Sequence, residues 1–227
     1  MIGIAYCTAS EVRTLTGITL SDVSDSDLNE FISYAVQELN HAISVKVVRE
    51  RVDRIDNTRT NTIDGSNTTF YVKHWKDYYI GDLNNDGTVD ENDVIVYLVS
   101  GDGTETKATV SSVSPSEGKF VLASAPQSGV KMYVTYCYTP YDVSEPHALV
   151  KLACIYLTAA LVYSRIDARK IQNFSIGKLK IGKQSQAFEV YYRKYMQIVN
   201  QIRRFPFKKI QGEQVTSLVS PGMSLKE

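Results

Sequence analysis

The chain has 227 residues, enough for one large domain or two small ones. Hydrophobic residues make up 43% and charged residues 22%, which excludes an intrinsically disordered chain and allows a core. Net charge is zero but unevenly spread: residues 53–105 hold eleven acidic and four basic residues, whereas 170–209 hold ten basic residues against Glu189 alone, so two regions with different neighbours are expected.

In chain order, Thr8-Ala9-Ser10-Glu11 is a capping box that opens a short helix ended by Gly17. Ser24-Asp25-Ser26-Asp27 opens a second helix with acidic residues at its positive end. Leu28, Phe31, Ile32, Ala35, Val36, Leu39 and Ala42 or Ile43 then recur at helical spacing, giving one buried face. After Ser44 the period changes to two. Residues 45–55, 69–72, 94–99, 106–113, 119–122 and 131–138 read as strands, separated by Asp/Asn/Gly/Ser/Pro turns. Helix returns near the end of the chain. Ser144 is placed as a cap and Pro146 in the first turn of a long apolar helix running to about Arg169. A basic, glycine-containing loop follows at 172–184. Ser185 then caps a last helix with Phe188, Tyr191, Tyr192, Tyr195, Met196, Val199 and Ile202 on one face, stopped by Pro206.

The expected fold class is therefore α+β. About four helices from both chain ends form a core, and a small β-barrel or β-sandwich is inserted between them. The division is 1–44 and 143–206 for the helical core, 45–142 for the β-domain and 207–227 for a carboxyl-terminal extension with little periodicity. Nothing at the amino terminus has the layout of a signal peptide. The longest apolar stretch, 148–163, is interrupted by Lys151 and Thr158, so no membrane partner is expected. Cys7, Cys137 and Cys154 are odd in number and scattered, which reads as buried free thiols in a reducing compartment.

The most specific string lies inside the β-domain. Asp82, Asn84 and Asp86 occupy the first, third and fifth positions of a twelve-residue loop, and Gly87 sits at the sixth, where the chain must turn sharply. Thr88 offers its carbonyl at the seventh position, Asp90 can hold a water at the ninth, and Asp93 closes the loop at the twelfth. Alternating oxygens aimed at one point suit Ca²⁺, a hard cation that takes six to eight oxygen ligands. The pattern resembles the calcium loops of dockerins, which also carry the shorter Asp at the last position. Dockerins have two such loops and this chain has one. The apolar, β-prone residues 95–99 favour a strand after the loop over the second helix of an EF-hand.

No nucleophile–base set or phosphate-binding glycine loop is present, and His41, His74 and His147 lie in separate segments, so a non-enzyme is expected. An Asp-held Mg²⁺ nuclease is the enzymatic rival. Arg193, Lys194, Arg203, Arg204, Lys208 and Lys209 could meet DNA phosphates or acidic patches on a partner.

The layout also resembles the head–tail adaptor (connector) proteins of tailed viruses. The resemblance rests on Tyr6-Cys7-Thr8-Ala9-Ser10-Glu11-Val12-Arg13, on Leu152-Ala153-Cys154-Ile155-Tyr156-Leu157-Thr158-Ala159-Ala160-Leu161, and on Phe174-Ser175-Ile176-Gly177-Lys178-Leu179-Lys180-Ile181-Gly182. It implies a virion neck protein made in the host cytoplasm. It implies a homo-oligomeric ring, typically of twelve copies, that joins portal to a tail or stopper protein and lets DNA pass without reading its sequence. Portal contact would fall to the extension, through Phe205, Phe207, Lys208, Lys209, Ile210, Val215 and Leu218. Lys178, Lys180, Lys183, Arg193, Lys194, Arg203 and Arg204 would face the DNA channel or a neighbouring subunit. Minimal adaptors lack the inserted domain. The alternative reading is a calcium-dependent binding module, dockerin-like or carbohydrate-binding.

Overall fold

The computed structural model describes residues 6–54, 61–170 and 187–204, and shows a mixed α+β fold. Helix α1 (Ala9–Thr16) starts as its capping signal demands: Glu11 N donates to Thr8 Oγ1 at 3.2 Å and Thr8 N donates to Glu11 Oε2 at 2.7 Å. Helix α2 (Asp25–Ile43) is capped by Ser24, and its Leu28, Ile32, Ala35, Val36, Leu39 and Ile43 are buried. Helix α3 (Ala148–Lys170) is the central helix of the body and packs against α1, α2 and α4 (Ala187–Arg204). Residues Ala148–Ile166 are long and apolar enough to cross a membrane by length and composition. Here Val150, Ala153, Cys154, Leu157, Ala159 and Ala160 of that helix are buried against other helices of the chain.

The start of α3 differs from the expected one. Ser144 does not cap it; its N–H and hydroxyl both donate to Asp142 Oδ1, at 2.9 and 2.6 Å. Glu145 precedes Pro146 and is disfavoured in helical conformation, so the helix begins later. His147 takes the cap role, its Nδ1 accepting from Leu149 N at 3.2 Å. On α4, Tyr195, Ile198, Val199 and Ile202 form the buried face, whereas Tyr192 is exposed.

Among the described residues the β-unit has eight strands: β1 (Val45–Arg51), β2 (Thr69–Tyr71), β3 (Tyr79–Gly81), β4 (Ile95–Val99), β5 (Glu105–Ala108), β6 (Val110–Ser114), β7 (Lys119–Leu122) and β8 (Lys131–Thr139). One antiparallel sheet has the order β1-β8-β4-β5, with β3 also pairing to β8; the other is β2-β7-β6. Phe70, Val110, Phe120 and Leu122 from the small sheet share a core with Val96, Met132, Val134 and Tyr136 from the large one. This is a sandwich-like arrangement of two sheets. The stretch 106–113, read as one strand, is two. The chain leaves the large sheet after Ala108 and enters the small one at Val110, with a bulge between Val110 and Ser112. Strand β3 is too short to show a period and was not expected. The residues after the loop do form a strand, β4.

Helical body and β-unit have separate apolar cores. The chain crosses between them at Ser44 and again after Thr139. At that seam Asn40 Oδ1 accepts from Tyr6 Oη at 2.6 Å and from Tyr141 Oη at 2.8 Å, and the two rings meet edge to face. All three cysteines are buried and free; Cys7 Sγ and Cys154 Sγ lie 3.4 Å apart.

Candidate metal centre

The loop 82–93 starts directly after β3 and ends in a short 3-10 turn, Glu91–Asp93, before β4. Two left-handed residues let it close: Gly87 at φ 93° and Asn85 at φ 59°. Its acidic side chains are turned onto its own backbone. Asp82 Oδ2 accepts from Gly87 N at 2.8 Å. Asn84 Oδ1 accepts from Asp86 N at 2.9 Å, and Asn84 Nδ2 donates to Asp86 Oδ2 at 3.0 Å. Asp86 Oδ1 takes the Thr88 N–H at 2.9 Å and its hydroxyl at 2.7 Å. Asp90 Oδ1 accepts from Asn92 N at 2.8 Å. Asp93 Oδ1 accepts from Leu83 N at 2.6 Å and Asn84 N at 3.1 Å, and its Oδ2 accepts from Asp90 N at 2.8 Å.

Two of these carboxylates are buried. Asp82 is 3% exposed and Asp93 is 0% exposed. Burial pushes the Asp93 carboxyl up to about 6 although three backbone N–H groups pull it down. Burial also raises Asp82, with the Asp86 charge adding to the rise. Asp86, held by Thr88, lies below its usual range. Among the ion pairs of the described residues, none brings a lysine or arginine to any acidic group of the loop. Asp82 Oδ1 is buried and has no hydrogen-bond partner, a state that costs free energy unless something positive meets it.

These observations fit a hard cation anchored on Asp82. The donor set is all oxygen, the charge is uncompensated, and one buried oxygen is unpartnered. Among the described residues, no three His, Cys, Asp or Glu side chains already surround one point that could hold a metal. Asn84 and Asp86, both exposed, bond to each other, and a closed shell would need them turned towards Asp82. Asp93 spends both oxygens on backbone N–H groups, so its role here is to hold the loop shut.

The loop does not stand at a free tip. Val89 packs against both the helical and the β core. Asn85 lines a groove of about 630 Å³ together with Gln37, Glu38 and His41 of α2 and Leu161 of α3. The Val89 contact is not visible in the motif, where Leu83 and Val89 are both apolar among polar residues.

The other candidate residues are dispersed. Lys178, Lys180, Lys183, Phe205, Phe207, Lys208, Lys209, Ile210, Val215 and Leu218 lie outside the described residues. Arg193 and Arg204 are exposed on α4. Lys194 instead sits over the rings of Tyr156 and Tyr191, at 5.1 and 5.6 Å, and Arg203 Nε donates to Ala42 O at the end of α2, at 2.9 Å. Those two cations already hold helices together. His74 stacks on Tyr138 with ring centres 4.1 Å apart, and burial lowers its pKa. No protein-family model, curated protein or solved structure matches the chain.

Proposed function

We propose that this chain is a structural head–tail adaptor of a tailed virus, forming a homo-oligomeric ring between portal and tail with a channel for DNA. The observation that carries the reading is how the helical body is built. Helices α1 and α2 from the start of the chain share one core with α3 and α4 from its end, and the β-unit is carried between α2 and α3 without interrupting that core. This is the helix order that the resemblance implies. Arg193 and Arg204 on the outer side of α4 are available to a neighbouring copy or to DNA phosphates. The extension beginning at Phe205 would meet portal, and the β-unit would project towards a tail or stopper protein. Such a protein works by contact and needs no catalytic group. Mass photometry and negative-stain microscopy, with and without the portal ring of the same virus, test the proposal. Rings alone or on portal are expected, and a chain that stays monomeric with portal present would overturn it.

Within this reading the loop 82–93 holds one structural Ca²⁺. The ion would meet Asp82 Oδ1 and offset the mutual repulsion of Asp82, Asp86, Asp90 and Asp93. Calorimetry of chelator-stripped protein should show saturable Ca²⁺ heat; a flat titration ends the claim.

A further inference from the structure

We infer that the loop 82–93 is the joint between the two units, and that a divalent cation bound there locks the β-unit on the helical body. The inference rests on the loop being a Ca²⁺ site, and adds what that ion does.

Three parts of the structure meet at this place. Residues 43–45 carry the chain out of α2, and residues 139–143 bring it back from β8. Beside them β3 pairs with the last residues of β8, Gly81 against Cys137 and Tyr79 against Thr139. That approach is close: a Cβ on Gly81 would come 3.0 Å from Cys137 Sγ. The loop therefore springs from the strand pair that leads into the seam. From there it reaches across. Val89 packs against both apolar cores, and Asn85 faces α2 and α3 across a shared groove.

Two covalent crossings alone leave freedom to twist about the line joining them. The Val89 contact supplies a third attachment, which removes that freedom. This attachment lasts only while the loop is closed. Closure brings Asp82 and Asp93 into buried positions that no lysine or arginine among the described residues pairs with, and leaves Asp82 Oδ1 without a partner there. A hard divalent cation supplies the missing charge and the missing partner together. Without it, opening of the loop relieves the repulsion and withdraws Val89 from both cores.

The test uses the full chain, chelator-stripped, with CaCl2 or EDTA added, and hydrogen exchange read by mass spectrometry. At a free Ca²⁺ of a hundred times the dissociation constant, exchange through the cation-free open state slows about 100-fold. The expected result is slowing of that order at 82–93 and also at 43–45 and 139–143. Saturable Ca²⁺ heat with slowing confined to 82–93 overturns the joint while leaving the Ca²⁺ site standing. No heat and no slowing anywhere overturns both. A Val89→Ala variant keeps every candidate ligand. It should bind Ca²⁺ with undiminished heat yet lose the slowing at 43–45 and 139–143, and wild-type slowing there would overturn the inference.

Discussion

Asn40 is the most economical place to test how the seam is held. It is 3% exposed, and a single oxygen accepts both the Tyr6 and the Tyr141 hydroxyls, at 2.6 and 2.8 Å. Asn40→Leu keeps the branched side-chain shape, adds some volume and removes the acceptor. Each buried hydroxyl left unsatisfied costs about 1–3 kcal/mol. The two hydroxyls already lie 3.5 Å apart and can partly serve each other, so a joint cost of about 3 kcal/mol is expected, the lower half of the summed range. For a chain of this length that lowers the melting temperature by about 6–12 °C. The variant Asn40→Leu/Tyr6→Phe/Tyr141→Phe removes the acceptor and both hydroxyls together. It should return to within about 1 kcal/mol of wild type, because replacing both partners of a buried hydrogen bond by apolar groups is nearly neutral. Urea denaturation followed by circular dichroism gives all the midpoints. A triple variant no more stable than Asn40→Leu would show that packing, and not the shared acceptor, sets the cost.

Three further outcomes are expected. Asp82→Asn removes one buried negative charge and can still accept from Gly87 N, so it should melt above wild type in EDTA and below it in saturating Ca²⁺; the same order in both solutions would refute the role given to Asp82. Gly118→Ala places a Cβ 2.4 Å from Trp75 Cβ at a φ of +59°, and should cost the β-unit at least about 2 kcal/mol in urea denaturation. Arg49 holds φ at 55° in the bulged part of β1, where its guanidinium pairs with Glu105 and lies over the rings of Tyr97 and Tyr133. Both Arg49→Ala and Arg49→Gly lose those exposed contacts, but only alanine keeps the strained backbone, so glycine should be the more stable by about 1 kcal/mol in the same assay.

What the sequence revealed divides along local and non-local lines. Thr8 with Glu11 and Ser24 with Asp27 identify two helix starts because capping involves groups three residues apart. The buried stripe of α2 is equally local. The start of α3 was misplaced because Ser144 has the right chemistry for a cap; the competing turn on Asp142 and the restriction imposed by Pro146 win. Residues 106–113 contain no Gly, Pro, Asn or Asp to signal a turn, so the change of sheet at Thr109 is not marked by turn chemistry. Strand β3 exists because β8 offers it an edge, a partner more than fifty residues away. The same holds at the candidate site. Residue type and spacing point to a cation loop, and in the structure Asp93 ties the ends of that loop together through backbone N–H groups. That Val89 is a contact to two cores is decided by where α2, α3 and β8 lie, which no window around the motif contains.

The position of the loop also weighs between the two readings of it. A calcium-dependent recognition module needs its cation-ordered surface turned outward, where a partner can reach it. Here Val89 packs on both cores, and Asp82 and Asp93 are buried. Ordering this loop therefore changes the relation between two parts of one chain more than it changes the face offered to another molecule. That is the behaviour required of a rigid structural component. In a ring, a small twist at each seam would displace every β-unit relative to the channel axis, so a device that fixes the seam has its largest effect in an assembly of many identical copies. Under the proposed function, the adaptor role would supply a reason for a structural cation to sit at this seam.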